Sequence, residues 1–147
     1  MGSTAISVFS ALISGLIGVL VGTWLNRYYE VRRSKTDVLK TLVTYRNDPL
    51  NLERTNVLNC IPIIFCKDVR VCQALDKFKE AHDGVTENIT NPMVFPQKYT
   101  TLNDSYIKLI EEIAKSLGLG SSLSWDKLKN PYIPKSFMDS QGMMQWY

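Results

Sequence analysis

The sequence is poor in the side chains that most enzyme sites need. It holds a single histidine, His82, and its three cysteines, Cys60, Cys66 and Cys72, are six residues apart, without the Cys-x-x-Cys pairs of zinc and redox sites. It also lacks a Gly-x-x-x-x-Gly-Lys-Ser/Thr loop and a Gly-x-Gly-x-x-Gly turn. We therefore expect a protein that is not an enzyme, with no catalytic residue, no metal and no cofactor. In a reducing cytoplasm the cysteines should be small buried thiols.

Charged side chains are absent from the first apolar stretch. No Asp, Glu, Lys or Arg occurs in residues 5–25, and these 21 residues match the roughly 20 that cross a bilayer as a helix. A secretory signal would instead carry a positive leader, a shorter apolar region and a small-residue cleavage site. We therefore predict a transmembrane helix over residues 1–25.

Basic residues follow this segment closely and set its expected orientation. They are Arg27, Arg32, Arg33, Lys35, Lys40 and Arg46. Only Glu30 and Asp37 offset them, so the positive-inside rule places the amino terminus in the periplasm and the remainder in the cytoplasm. Trp24, Tyr28 and Tyr29 fall where headgroups begin, and anionic headgroups attract the basic residues.

Small residues recur every four positions along the apolar segment, at Ser10, Ser14, Gly18 and Gly22. Such rows let helices approach closely in lipid, where packing and polar contacts drive association. The alternative is that glycine is simply common in membrane helices. We favour the first interpretation and predict a homo-oligomer.

No glycine or proline occurs between Thr23 and Asn47, so the helix should continue as a basic juxtamembrane stalk over residues 26–47, until Asp48-Pro49 ends it. Residues 48–147 leave room for one small cytosolic ligand-sensing domain. No strand-type alternation is long enough to use, so the expected fold class is all-α.

Within that domain we expect helices over residues 50–59, 69–84, 102–117 and 125–129. Pro62 either kinks a continuation of the first of these or starts a further helix. Asp68 is the expected cap of the second helix, Gly84 its stop, and Gly118 the stop of the third. Polar residues, Pro92 and Pro96 then predict a loop of about 15 residues over residues 85–100, a length typical of functional or disordered segments.

The run Thr-Asn-Val-Leu-Asn-Cys-Ile-Pro-Ile-Ile-Phe at residues 55–65 resembles the segment Val-Asn-Ala-Leu-Asn-Leu-Ile-Asp-Val-Val-Phe of a bacterial family of unknown function. In that family one amino-terminal membrane helix precedes a small helical domain. Further matches lie at residues 44–46, 114–118 and 132–135, besides the Arg-rich exit from the apolar segment. Pro62 departs from the acidic residue of the family.

The size and layout also resemble a small membrane effector of type III CRISPR immunity. That effector binds a cyclic oligoadenylate as a tetramer through its cytosolic domain. The resemblance implies a homotetramer in the bacterial inner membrane that acts in antiviral defence and binds cyclic tetra-adenylate rather than DNA.

Such a ligand needs cations for its phosphates, amides for its base edges or riboses, and flat side chains beneath its bases. The candidates are Arg46, Lys67 and Arg70 for phosphates, Asn56 and Asn59 for polar recognition, Tyr45, Trp125 and Tyr132 for stacking, and His82. Each of them also has a purely structural alternative. The cations can solvate a helix, the asparagines can cap or bridge backbone groups, and the aromatic residues can belong to the core. His82 falls on the apolar side of its helix, where a core or interface imidazole is commoner than a catalytic one.

These observations predict a ligand-responsive oligomer that forms a pore or disrupts the inner membrane. One alternative is a constitutive membrane-anchored scaffold that recruits a protein partner. A membrane-bound hydrolase with an unfamiliar site around His82 is a third possibility.

Overall fold

The computed structural model of the chain describes residues 2–120, with side chains from residue 13 onward. Its four helices are α1 (Gly2–Thr44), α2 (Leu52–Ile64), α3 (Val69–Glu87) and α4 (Phe95–Ser116). No strand occurs within residues 2–120, so the all-α prediction is confirmed for that part of the chain. The predicted helix over residues 125–129 lies outside the described residues. The chain divides into one unit of residues 1–66 and a second that begins at Lys67.

The first helix is unbroken over 43 residues, or about 65 Å. The absence of glycine and proline after Thr23 accounts for its continuity through the stalk, as predicted, although it ends at Thr44 rather than at residue 47. Side chains of residues 13–34 are exposed. No helix among the described residues is both long and apolar enough to cross a membrane, and the span over residues 1–25 stays a prediction.

In the first unit α2 packs on the carboxyl-terminal part of α1. The buried apolar side chains are Val38, Leu39 and Leu42 of α1, and Ile61 and Phe65 at the end of α2. Each such burial stabilises the unit by about 1.5–3 kcal/mol before entropy is counted. These residues form the core of a two-helix unit.

The start and the interior of α2 have clear local causes. The Asn51 side chain accepts hydrogen bonds from the backbone N–H groups of Glu53, at 2.9 Å, and Arg54, at 3.2 Å. This is the N-cap arrangement that satisfies donors of the first turn. Pro62 lies inside α2, so the helix continues through this residue and no further helix starts there.

The second unit is a pair of amphipathic helices. Its buried side chains are Val71, Ala74, Leu75 and Phe78 on α3, and Tyr106, Ile107, Leu109, Ile110, Ile113, Ala114 and Leu117 on or beside α4. The three- and four-residue spacing places each set along one helical stripe. The rings of Phe78 and Tyr106 meet with centroids 5.4 Å apart.

The predicted loop over residues 85–100 is wrong, because α3 continues to Glu87 and α4 begins at Phe95. Gly84 keeps a helical backbone. The Asn88 side-chain amide donates a hydrogen bond to the backbone carbonyl of Gly84 at 2.8 Å. Pro96 lies in the first turn of α4, where its missing N–H has no helical partner to lose. Both residues were interpreted as breakers, and here neither breaks a helix.

The end of α4 agrees with the sequence. Gly118 has a φ of +76°, its N–H donates to the Lys115 carbonyl at 3.0 Å, and the Leu119 N–H donates to the Ala114 carbonyl at 2.8 Å. Together these bonds form a Schellman motif, in which glycine adopts the left-handed backbone that closes the helix.

Two predictions of burial are wrong. Cys60 and Cys66 are exposed and Cys72 is half-buried, because the buried stripes of α2 and α3 run through neighbouring positions instead. The His82 side chain is 60% exposed, since the stripe of α3 continues after Phe78 through half-buried residues on a neighbouring face. A core imidazole at position 82 is thereby excluded.

Candidate functional site

Two cavities follow the seam between α3 and α4 in the second unit. The larger, of about 440 Å³, is lined by charged side chains from both helices, namely Lys67, Asp68, Arg70, Glu112 and Lys115. The smaller, of about 180 Å³, shares Arg70 and Glu112 with it and adds Gln73, Ala74, Lys77 and Lys108. We call the two cavities together the α3/α4 groove.

The helical repeat explains how α3 supplies one wall of the groove. Arg70, Gln73 and Lys77 are three and four residues apart, so they follow one face of the helix. Arg70 and Lys77 are two turns apart, about 10.5 Å along the axis. Two cations therefore flank an amide along one side of the groove.

The larger cavity lies at the start of α3. Asp68 occupies the N-cap position, as predicted, but its side chain makes no cap hydrogen bond. Its backbone carbonyl instead accepts from the N–H groups of Val71 and Cys72. The positive end of the helix dipole thus adds to Lys67 and Arg70, and this combination favours an anionic ligand.

Four charged residues of α4 form a closed network at the other wall. The Lys108 ammonium lies 2.9 Å from Glu111 and 3.3 Å from Glu112, and that of Lys115 lies 2.7 Å and 3.0 Å from the same two carboxylates. The glutamate side chains are only 19% and 11% exposed. Glu111 and Glu112 are thus half-buried, and Glu112 lies in the groove wall.

The network shifts the pKa values of Glu111, Glu112 and Lys115. The hydrogen bond from Lys108, followed by that from Lys115, lowers the pKa of Glu111. Burial raises the pKa of Glu112, but hydrogen bonds from Lys115 and Lys108 outweigh it and leave that pKa below its ordinary value. Hydrogen bonds from Lys115 to Glu111 and then Glu112 raise the lysine pKa. These groups are therefore charged throughout the neutral range.

The remaining groove cations have no such partner. Within residues 13–120, Lys67, Arg70 and Lys77 form no ion pair, whereas Lys108 and Lys115 are each held by two carboxylates. Unpaired cations are available to a ligand phosphate at no cost of breaking an existing bridge.

The structure brings two of the predicted ligand residues together in one cavity. Lys67 and Arg70 line the same cavity. His82 is about 18 Å farther along α3 than Arg70 and lies outside the groove. Trp125 and Tyr132 lie outside the described residues.

The other predicted ligand residues belong to the first unit. Arg46 is half-buried in the turn after α1, and Asn56 and Asn59 are exposed one turn apart on α2. The Tyr45 hydroxyl donates a hydrogen bond to the Glu53 carboxylate, and this contact raises the tyrosine pKa.

The groove also contains residues that the sequence analysis missed, namely Gln73, Lys77, Lys108, Glu112 and Lys115. The three- and four-residue spacing from Arg70 to Lys77 was a usable signal for the α3 members. Nothing local in the sequence indicated which face of α4 would lie opposite them.

The predicted oligomerisation row is exposed where it is described. Within that part of the chain, a Cβ built at Gly18 or Gly22 meets no atom within 4 Å, and Ser14 is exposed. The side chain of Ser10 lies outside the described residues. The same described region contains no cluster of metal-ligating side chains.

Residues 2–120 thus form an all-helical fold with a cation-lined cleft. The chain belongs to the family of unknown function DUF6680, whose model matches residues 2–146. No curated protein and no solved structure matches the chain. The resemblance to the type III CRISPR effector stays a prediction.

Proposed function

We propose that this protein is an oligomeric effector of the bacterial inner membrane whose helical domain binds a nucleotide polyanion and whose bound form disrupts the bilayer. Cyclic tetra-adenylate is the ligand favoured by the resemblance described above. The observation that carries the proposal is the position of Lys67, Arg70 and Lys77, three cations that line one groove and form no ion pair within residues 13–120.

The chemistry of the groove supports a phosphate-bearing ligand. An arginine guanidinium matches the geometry of a phosphate, and the start of α3 adds backbone donors and a favourable dipole. Asp68 and Glu112 in the same walls carry carboxylates, and a carboxylate can accept a hydrogen bond from a hydroxyl or amino group. A nucleotide offers both kinds of partner, whereas an inorganic anion offers only one.

The first helix supports the membrane part of the proposal. Residues 5–25 carry no charge, and the exposed rings of Trp24, Tyr28 and Tyr29 lie at and just beyond the end of this range, close to Arg27. At about 65 Å, α1 is twice the thickness of a hydrocarbon core, which leaves a stalk below the bilayer. The row from Ser10 to Gly22 would be the contact between copies, in a tetramer by the resemblance.

A ligand bound by several protomers would favour one arrangement of the copies over another, and α1 would convey that preference to the lipid segment. A symmetric assembly presents each groove cation several times, so a modest site per protomer gives high avidity for a polyanion.

The test is leakage of dye from anionic liposomes that contain the full-length protein, with and without cyclic tetra-adenylate. We expect ligand-dependent leakage that is lost in the double variant Lys67→Ala/Arg70→Ala. Lys79→Ala, on an exposed position of α3 outside the groove, is the matched control and should leak like the parent protein. Absence of both leakage and calorimetric binding in the parent would overturn the proposal.

A constitutive scaffold is the second candidate, because α2 exposes large apolar side chains. Leu52 is 72% and Ile63 76% exposed, and the two lie three turns apart on the helix. A protein partner that is recovered at fixed stoichiometry, is lost with Ile63→Asp and is indifferent to nucleotides would favour this function over the first.

A further inference from the structure

We infer that Gln73 reads the base of the bound nucleotide, so that the α3/α4 groove takes one adenine between the phosphates held by Arg70 and Lys77. This inference rests on the proposed function, because it assigns the base specificity of the same groove. The juxtaposition that carries it is an amide between two cations on one face of α3.

The position of Gln73 suits a base rather than a phosphate. It follows Arg70 by three residues and precedes Lys77 by four, or about 4.5 Å and 6 Å along the axis. The cavity at this point, about 180 Å³, is also lined by Ala74, which is 6% exposed and leaves room for a flat ring. Phosphates on both sides of a nucleoside would then face the two cations.

The side chain is available for recognition. Gln73 is exposed, and its amide makes no hydrogen bond within residues 13–120. A primary amide offers a donor and an acceptor side by side. Adenine presents the complementary pair, an N6 donor beside the N7 acceptor, and glutamine pairs with this edge in two hydrogen bonds.

The neighbouring Arg70 gives the competing possibility. Arginine donates two hydrogen bonds to the O6 and N7 acceptors that guanine and hypoxanthine present. If Arg70 rather than Gln73 contacted the base, the groove would prefer a 6-oxopurine to adenine. Replacing the 6-amino group of adenine by a 6-oxo group therefore distinguishes base contact by Gln73 from base contact by Arg70.

The experiment measures binding of two cyclic tetranucleotides to the full-length protein in detergent, by calorimetry. One is cyclic tetra-adenylate, and the other is cyclic tetra-inosinate, which has the same charge and ring size but a carbonyl in place of the 6-amino group. We expect the parent protein to prefer the adenylate by about tenfold. Gln73→Ala should abolish this preference, and Lys77→Ala should weaken both ligands while keeping their ratio.

The control is Gln97→Ala, which removes an exposed glutamine of α4 outside the groove and should change neither affinity. A preference for adenylate that survives in Gln73→Ala overturns the inference, as does a parent protein that binds both ligands equally or prefers the inosinate. These results leave the anion-binding groove intact. Failure of the parent to bind either ligand overturns the proposed function itself, and the inference with it.

Discussion

Lys35 of α1 lies over the ring of Phe65, with its Nζ 4.9 Å from the ring centroid. Phe65 directly follows α2 and is 1% exposed, so this cation–π contact joins the end of α2 to the stalk. The hydrogen bond between Tyr45 and Glu53 joins the start of α2 to the end of the stalk. The two contacts show that α2 runs antiparallel to α1, and that Lys35 has a structural role besides its charge.

The contact predicts that Lys35→Ala lowers the free energy of unfolding by about 1 kcal/mol, because it removes a partly desolvated cation–π pair. Arg32→Ala is the control, since Arg32 is an exposed cation one turn away on the same helix. Denaturant unfolding in detergent, followed by circular dichroism, measures both. Equal effects of the two substitutions would contradict a specific role for Lys35.

Substitution by alanine should change the stability of the second unit in opposite directions at two of its glycines. A Cβ at Gly120 would lie 2.9 Å from Cγ of Lys115, so Gly120→Ala should push that lysine away from its carboxylates and destabilise the unit by about 1 kcal/mol. Gly84 is helical, and its added Cβ meets only the Lys98 side chain, at 3.7 Å. Gly84→Ala should therefore stabilise by about 0.5–1 kcal/mol. Melting temperatures that shift in the same direction would contradict this assignment.

The charged network of α4 predicts an acid-sensitive stability. The pKa values of Glu111 and Glu112 are lowered in the folded protein, so the unfolded chain takes up protons first as pH falls. The stabilisation is fully present above the ordinary value of 4.5 and is lost progressively below it. Unfolding measured from pH 7 to pH 3 should show this loss, and Glu111→Gln/Glu112→Gln should flatten the curve.

Glu80→Gln is the control for that titration, because Glu80 is exposed on α3 away from the network. It should leave the acid limb of the stability curve unchanged. If the double glutamine variant lost stability with falling pH as steeply as the parent protein, the titration of other groups would account for the loss.

The cap of α2 predicts a local stability difference between two asparagines. Asn51→Ala removes the side-chain oxygen that accepts from two first-turn N–H groups and should cost about 1 kcal/mol. Asn59→Ala, in the exposed interior of the same helix, should cost nothing, because alanine is the better helix former. Thermal unfolding of the two variants decides whether the cap contributes as expected.

Much of the fold followed from local rules. Continuity of α1 was predictable because no breaker interrupts residues 24–46, and the stop of α4 because Gly118 can adopt a positive φ. The same rules failed at Gly84 and Pro96. A glycine stops a helix only when the chain turns left-handed there, and a proline is compatible with a first turn, so context decided both cases.

Only some of the groove residues could be predicted from the sequence. Their charge makes Lys67 and Arg70 candidates for the phosphates of the ligand that the resemblance implies, and the two residues share a cavity. Glu112 was missed because the face of α4 that meets α3 depends on how two apolar stripes pack. The sequence of α3 or α4 alone does not determine how the two helices align.

The unbroken course of α1 fixes the angular relation between its apolar segment and the side that packs on α2. Each residue turns the helix by about 100°, so one residue inserted in the exposed stretch of residues 27–34 would swing the apolar segment a quarter turn or more away from the side that packs on α2. Seven inserted residues add almost two whole turns and would restore the original alignment. Only insertions close to a whole number of helical turns therefore keep the two ends of α1 in their present angular relation.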